Sequence, residues 1–284
     1  MTDRRRLHSN GRVADAGLLG QVEAELFVEG DDRQVIVPVT PILSEPDGKR
    51  ERELVFGEGV RLLEERDGWV FGYALRDGYA GYLAAGDLAV PKGPPNHVVQ
   101  ARMTHALGEP DFKAQTQHLI LSLGAWVSVT GTEGRWAEIF APEGRMYVPA
   151  THLRVASAVE PDPVHVAERL IGTPYVWGGN SALGIDCSGL VQAGCLACGI
   201  ACPGDSDMQA AELGVDLPEG AALRRGDLLF WKGHVAWVVD PETLLHANAH
   251  HMAVAYEPMA EAIARIEAQG DGPVRARKRL ETKT

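Results

Sequence analysis

Three residues in this chain have the types and spacing for nucleophilic chemistry: Cys187 in "GIDCSG", His234 in "KGHVAWVVD" and His246 in "TLLHAN". A cysteine attacks only as its thiolate, and a thiol with a pKa of about 8.5 needs help to ionise at neutral pH. The positive end of a helix and a nearby base are the two usual aids. Cys187 opens the segment "CSGLVQAGCLACGIAC", which reads as one helix running to Cys202, with Asp186 placed to cap its start. That position separates Cys187 from Cys195, Cys198 and Cys202. Those three fall at i, i+3 and i+7 and read as a core-facing stripe of small residues. All four cysteines of the chain lie between 187 and 202, with no second ligand pair such as H-x-x-x-H nearby. Neither a disulfide framework nor a metal site is expected, and no cofactor is implied.

Ten histidines compete for the part of base, so a geometric reason has to select among them. "HVAWVVD" and "TLLHAN" predict a hairpin about the turn "DPET". Side chains alternate along a strand, which puts His234 on the face of Ala236 and Val238, and His246 on the face of Leu244 and Asn248. If Val239 pairs with Thr243, Ala236 faces His246, His234 lies diagonal to it, and Asn248 faces His234. If the register shifts by one pair, His234 faces His246 directly. Either register lets one imidazole orient the other, and Asn248 remains the rival third residue. His250 and His251 fall past the strand and read as exposed loop residues.

The elements that must carry these residues occupy only the last part of the chain. Residues 1–32 are weakly patterned and read as an N-terminal arm. From residue 33 the texture is all-β, with short apolar runs broken by Gly, Pro and Asp. A repeat is visible. "TPILSEPD" matches "THALGEPD", and "RDGWVFGYALRDGYAGYLAAGDLAV" matches "EGRWAEIFAPEGRMYVPATHLRV". Thr40 aligns with Thr104, Trp69 with Trp136, Tyr82 with Tyr147 and Leu88 with Leu153. Two copies spanning 33–92 and 97–157 predict two small β-barrels; one larger sandwich is the alternative. "EPDPVHVAERLIG" then starts a helix, with Asp162 as cap and Pro163 in its first turn. Residues 160–284 follow in helix-then-strand order, as an α+β domain.

Each copy, a Trp followed by a Gly-rich hairpin and then Gly-Tyr-Leu or Tyr-Val-Pro, resembles a bacterial SH3-like (SH3b) domain. "TPYVWGGNSALGIDCSGLVQ", "RRGDLLFW", "GHVAWVV" and "LLHAN" together resemble the papain-like NlpC/P60 cysteine peptidases, over about residues 160–260. With the SH3b pair in front, the resemblance is to the subgroup of γ-D-glutamyl-L-diamino acid endopeptidases (dipeptidyl-peptidase VI-like). It implies a multidomain chain: two all-β SH3-like barrels and an α+β papain-like catalytic domain. It makes Cys187 the nucleophile, His234 the base and His246 the residue that orients the imidazole. It also implies a cleft for a peptidoglycan-derived peptide with a free L-Ala amine followed by γ-D-Glu. Tyr175, Asp186, Ser188 and Ser206 match positions that line the substrate. Tyr79 and Glu58 of the first SH3b domain are candidates to close over the amine, with Glu45 as competitor for the same role.

Composition bounds the setting. The net charge of −12 argues against nucleic acid or an anionic membrane as partner. No run of about 18 apolar residues suggests a membrane helix. The early arginines lack an apolar stretch behind them, so a cytoplasmic location is expected. The expected function is hydrolysis of the bond between γ-D-Glu and a diamino acid in free stem peptides, as in murein recycling. The alternatives are an exported or phage-associated wall hydrolase anchored by SH3b domains, a non-catalytic SH3b peptide binder, and acyl transfer of the kind done by a permuted relative, which has its histidine before its cysteine.

Overall fold

Residues 3–280, apart from 117, 143 and 219, are described in a computed structural model of the chain. Two units divide between Ala158 and Val159. In the first, the stretch read as an arm contains a short parallel pair, β1 (Val13–Asp15) with β2 (Leu26–Val28). Arg12 anchors it on Glu64, and Val13 packs with Leu63 and Phe71.

Seven strands follow: β3 (Asp31–Val35), β4 (Val39–Leu43), β5 (Arg50–Val55), β6 (Gly59–Arg66), β7 (Trp69–Ala74), β8 (Ala80–Ala84) and β9 (Leu88–Ala89). They lie in the order β5-β4-β8-β7-β6-β3-β9. The Asp-Gly pair between β6 and β7 makes a tight turn with φ of 52° at Asp67 and 82° at Gly68, the geometry whose twist suits a two-residue hairpin. Val35, Ile42, Leu54, Val60, Ala74, Tyr79 and Leu83 form the core of this copy.

The next eight strands repeat that order. They are β10 (His97–Val99), β11 (Met103–Leu107), β12 (His118–Ser122), β13 (Trp126–Val127), β14 (Val129–Glu133), β15 (Trp136–Ala141), β16 (Gly144–Pro149) and β17 (Leu153–Val155). Their two sheets, β12-β11-β16-β15-β14 and β13-β10-β17, reproduce the first order with the counterpart of β6 split into β13 and β14. Equivalent residues do equivalent things. Phe71 pairs with Tyr82 as Glu138 does with Tyr147, two places after Trp69 and Trp136. The Thr40 hydroxyl donates to Asp87 at 2.6 Å, and Thr104 bonds His152 at 2.7 Å, each tying a strand to the turn before Leu88 or Leu153.

The two copies share packing. Val55 and Phe56 of the first lie in the core of the second, and the Trp126 N–H donates to the Phe56 carbonyl at 2.9 Å. Gly57, at φ 80°, sits against this contact: a Cβ there would lie 1.9 Å from the Trp126 carbonyl oxygen.

The second unit is built on an antiparallel sheet. Its strands are β18 (Asn180–Ser181) with β19 (Gly184–Ile185) as a separate pair, then β20 (Val215–Asp216), β21 (Asp227–Trp231), β22 (His234–Asp240), β23 (Thr243–Asn248), β24 (Ala253–Pro258) and β25 (Ala276–Arg279). The main order is β20-β25-β21-β22-β23-β24. Its helices are α1 (Pro163–Glu168), α2 (Cys187–Ala197), α3 (Ser206–Glu212) and α4 (Met259–Ala268). Central strands are buried on both faces. Leu228, Phe230, Val235, Trp237 and Leu245 fill one face, while Leu229, Ala236, Val238 and Leu244 meet Met259, Ala262 and Ile266 of α4 on the other. Among the described residues, no helix is long and apolar enough to cross a membrane.

The helix expected to run through Cys202 stops four residues earlier, at Cys198. Gly199 takes φ 71°, its N–H donates to the Leu196 carbonyl at 3.0 Å, and the Ile200 N–H reaches Cys195 at 2.9 Å. This pair of bonds closes the helix around a left-handed glycine. Cys195 is therefore a helical core residue, while Cys202 is buried on the following loop.

Gly57→Ala is expected to destabilise the first unit by more than about 2 kcal/mol, because a left-handed alanine and a backbone clash add. Urea unfolding should show a clearly lowered midpoint; an unchanged midpoint would mean the Gly57–Trp126 approach is relaxed in solution.

Candidate active site

Asp186 starts the site. Its Oδ1 accepts the Gly189 N–H at 2.7 Å, the N-cap bond of α2, and the Ser188 hydroxyl at 3.1 Å. Its Oδ2 accepts the Gly178 N–H at 2.9 Å. One buried carboxylate thus fixes the helix start, the Ser188 rotamer and the "WGG" loop. Gly178 holds φ 74°, and a Cβ on Gly179 would meet the Gly184 carbonyl oxygen at 2.5 Å, so both glycines are demanded by the backbone. Trp177, in the same loop, is 67% exposed. Gln209 of α3 donates to the carbonyls of Ser188 and Pro203, both at 2.9 Å, and so ties α3 to the first turn of α2.

Cys187 is the first residue of α2 and is 6% exposed. Its Sγ lies 4.0 Å from the carbonyl oxygen of Gly233, the residue before His234. Gly233 takes φ 71° in the two-residue turn that pairs Trp231 with His234. The sulfur at a helix start therefore sits beside the turn that leads into His234 at a strand start.

The hairpin β22–β23 forms in the first of the two registers. Val238 pairs with Leu244 and Trp237 with Leu245, which sets Ala236 opposite His246 and His234 diagonal to it. A bulge at Val239 lets Asp240 pair with Thr243 at the turn. His234 Nε2 and His246 Nδ1 are 2.9 Å apart. Asn248, the rival third residue, is occupied elsewhere: its Oδ1 accepts the His251 N–H at 2.8 Å, and its Nδ2 donates to the His246 carbonyl at 3.4 Å.

Two residues that the sequence did not single out complete the group. His246 Nε2 lies 2.9 Å from Glu257 Oε2, on β24. Arg265 of α4 grips the same carboxylate with two bonds, Nε to Oε1 at 2.9 Å and Nη2 to Oε2 at 2.7 Å. Leu244 pairs with Glu257 and His246 with Ala255, so Glu257 is diagonal to His246 on the shared face. Burial pushes Glu257 towards its neutral form, but the bonds from His246 and Arg265 outweigh it and hold the carboxyl below its ordinary range. Burial, then repulsion from His246 and Arg265, lowers His234 to about 3, so the imidazole is neutral at physiological pH and its surroundings oppose the charged form. Burial also lowers His246, against the pull of Glu257.

The remaining sequence candidates divide by unit. Tyr175 is half-buried beside the "WGG" loop, and its N–H donates to the Met252 carbonyl at 2.9 Å. Ser206 is the first residue of α3. In the first unit, Tyr79 is 4% exposed within the core of the first copy. Glu58 is paired with Arg76 at 2.7 Å and accepts the Val55 N–H at 2.8 Å. A substrate amine at Glu58 would compete with Arg76.

Comparison with known proteins bears on this geometry. Residues 172–268 match the NlpC/P60 family, and residues 42–88 match the bacterial dipeptidyl-peptidase Sh3 domain. The chain is 29% identical to dipeptidyl-peptidase 6 of Lysinibacillus sphaericus over 242 residues, covering 75% of this chain and 86% of that protein. It is 26% identical to gamma-D-glutamyl-L-lysine dipeptidyl-peptidase of Bacillus subtilis (strain 168) over 237 residues, covering 76% of this chain and 78% of that one. In fold it resembles the crystal structure of an NlpC/P60 family protein from Bacillus cereus ATCC 10987, with a TM-score of 0.75 and 17% identity, over 88% of this chain and 99% of that one.

The histidine pair makes stability pH-dependent. Unfolding returns His234 from about 3 to its ordinary 6.5, so below that value the unfolded chain binds more protons. The stability is fully present above pH 6.5 and is lost as pH falls towards 3. Glu257 acts in the same sense below its ordinary value of 4.5. The melting temperature should therefore fall steadily on acidification from pH 6.5, and the fall should be shallower in His234→Gln.

Proposed function

We propose that this chain, which joins an NlpC/P60 domain to a bacterial dipeptidyl-peptidase SH3 domain, is a cysteine endopeptidase that cuts free peptidoglycan stem peptides between γ-D-Glu and the diamino acid. The observation that carries the reading is the placement of Cys187 at the first turn of α2, next to a hairpin that holds His234 against His246 at 2.9 Å. The names of the two relatives support the bond: one is a gamma-D-glutamyl-L-lysine dipeptidyl-peptidase. Residues 97–157, which share the strand order of the first copy, we read as a second SH3b domain.

In this mechanism His234 takes the Cys187 proton, and the thiolate attacks the scissile carbonyl carbon. The positive end of α2 stabilises both the thiolate and the oxyanion that forms. The C–N bond breaks as the imidazolium returns its proton to the leaving amine. A thioester remains. Water, deprotonated by His234, attacks it and releases L-Ala-γ-D-Glu and the thiol. Tyr175, Asp186, Ser188 and Ser206 are the residues of the second unit that we assign to the substrate. Asp186 is the carboxylate for the free amine, since a buried ammonium needs an anionic partner. Donors from Gly178, Ser188 and Gly189 fix the carboxylate in place, so cap and ligand are compatible roles.

The test offers the protein L-Ala-γ-D-Glu-diaminopimelate, its lysine counterpart, the N-acetylated peptides and intact sacculi. Cleavage of the free-amine peptides alone is the expected outcome. Cleavage of sacculi would move the reading to a wall hydrolase, and activity surviving Cys187→Ala would remove the mechanism. Asp186→Ala should lower the melting temperature, because loss of the cap costs about 1 kcal/mol or more, and should raise KM for the free-amine peptide.

A further inference from the structure

We infer that Glu257, clamped by Arg265, is a positioning residue that decides which ring nitrogen of His234 is the base. The inference rests on the peptidase reading and deepens it. It follows from what each group can donate. An ionised carboxylate only accepts hydrogen bonds, and a neutral imidazole has one N–H donor and one acceptor nitrogen. Both oxygens of Glu257 already accept from Arg265, and Oε2 also meets His246 Nε2. His246 must therefore carry its proton on Nε2. Its Nδ1 is left as an acceptor, so the bond to His234 can be made only if His234 donates from Nε2. The acceptor nitrogen of His234 is then Nδ1.

The direction of the whole relay is thus set at its buried end. Arg265 holds Glu257 ionised, Glu257 sets His246, and His246 sets His234. Were Glu257 protonated or replaced by an amide, the chain could run backwards. His246 would then carry its proton on Nδ1, His234 would accept at Nε2, and Nδ1 of His234 would hold a proton and be unable to take one from Cys187. The charged and titratable groups around the pair are Glu257 on β24, Arg265 on α4, His251 beyond β23 and the Cys187 thiol at the start of α2; Asn248 shares the face of His246, Trp231 packs on the His234 ring, and Ala236, Val238 and Leu244 are apolar neighbours on this face.

The direct test is the wild-type protein with 15N-labelled histidine. Long-range 1H–15N spectra should show His246 and His234 each protonated at Nε2 at neutral pH. Finding His246 protonated at Nδ1 overturns the inference. The second test is Glu257→Gln, near-isosteric with the native residue. Its kcat should fall by about 10- to 100-fold with KM changed less than about threefold, by analogy with the hydrogen-bonded partners that orient metal-bound histidines, which likewise act through the ring they hold. Alkylation of Cys187 by iodoacetamide, followed by mass spectrometry across pH, needs no peptide substrate. In Glu257→Gln it should slow at neutral pH and titrate nearer the value of a free thiol, about 8.5. An alkylation profile identical to wild type overturns the inference even if stem peptides are cleaved. A shifted profile in a protein that cleaves no stem peptide would sink the substrate assignment and leave the relay standing.

Discussion

A neutral imidazole cannot donate from both nitrogens, and two of them in contact must agree on who donates. His234 and His246 are held 2.9 Å apart, so their agreement is a structural requirement of the site. The sheet exists in the register that makes this contact. A slip of one residue between β22 and β23 would send one imidazole to the opposite face. That slip is blocked by packing: Trp237 and Leu245 are fully buried on one face, and Ala236 and Val238 meet α4 on the other. The bulge at Val239 absorbs the mismatch between this register and the turn, leaving the histidines undisturbed.

Cys187, the proposed nucleophile, is placed by an equally local rule. α2 starts where a side chain can cap it and stops where a glycine can close it. Asp186 caps at Gly189 and also pins Gly178, so the loop and the helix start cannot move independently. Cys187 inherits that rigidity. The sulfur lies 4.0 Å from the carbonyl oxygen of Gly233, in the two-residue turn that precedes His234.

The legible part of the site was the part built from near neighbours in sequence. Asp186 as cap and Cys187 at the helix start follow from cap chemistry within four residues, while Ser188 entered only through the family resemblance. The hairpin follows from two alternating runs and a turn, down to a choice of two registers. The end of α2 was hidden because apolar residues continue past Gly199 to Cys202, and a pattern of burial does not distinguish a helix from a buried loop. Glu257 was hidden for a different reason. Several acids stand close together in "AYEPMAEAIARIEA", and only the pairing of β23 with β24 shows that Glu257, two places along from the partner of His246, shares its face. Arg265 required in addition the docking of α4. In the first unit, the sequence repeat is matched by a repeat of strand order, because the same turns and aromatic positions recur.

Where the two copies differ is informative about what their framework needs. Gly57 aligns with Gly124, both left-handed, and each donates its N–H to the matching strand, Val35 or Val99, at 2.9 and 3.0 Å. The next residue is Glu58 in one copy and Ala125 in the other; their N–H groups make the same turn bond, to Val55 at 3.1 Å and Ser122 at 3.0 Å. The turn therefore forms without a carboxylate. Glu58 is nonetheless buried against Arg76, and a buried ion pair gains little over an apolar pair of the same shape, because desolvating both charges offsets their attraction. Backbone geometry does not explain the charge, since Ala125 satisfies the same geometry. In the first copy the carboxylate also accepts the buried Val55 N–H, a bond that an alanine side chain cannot make.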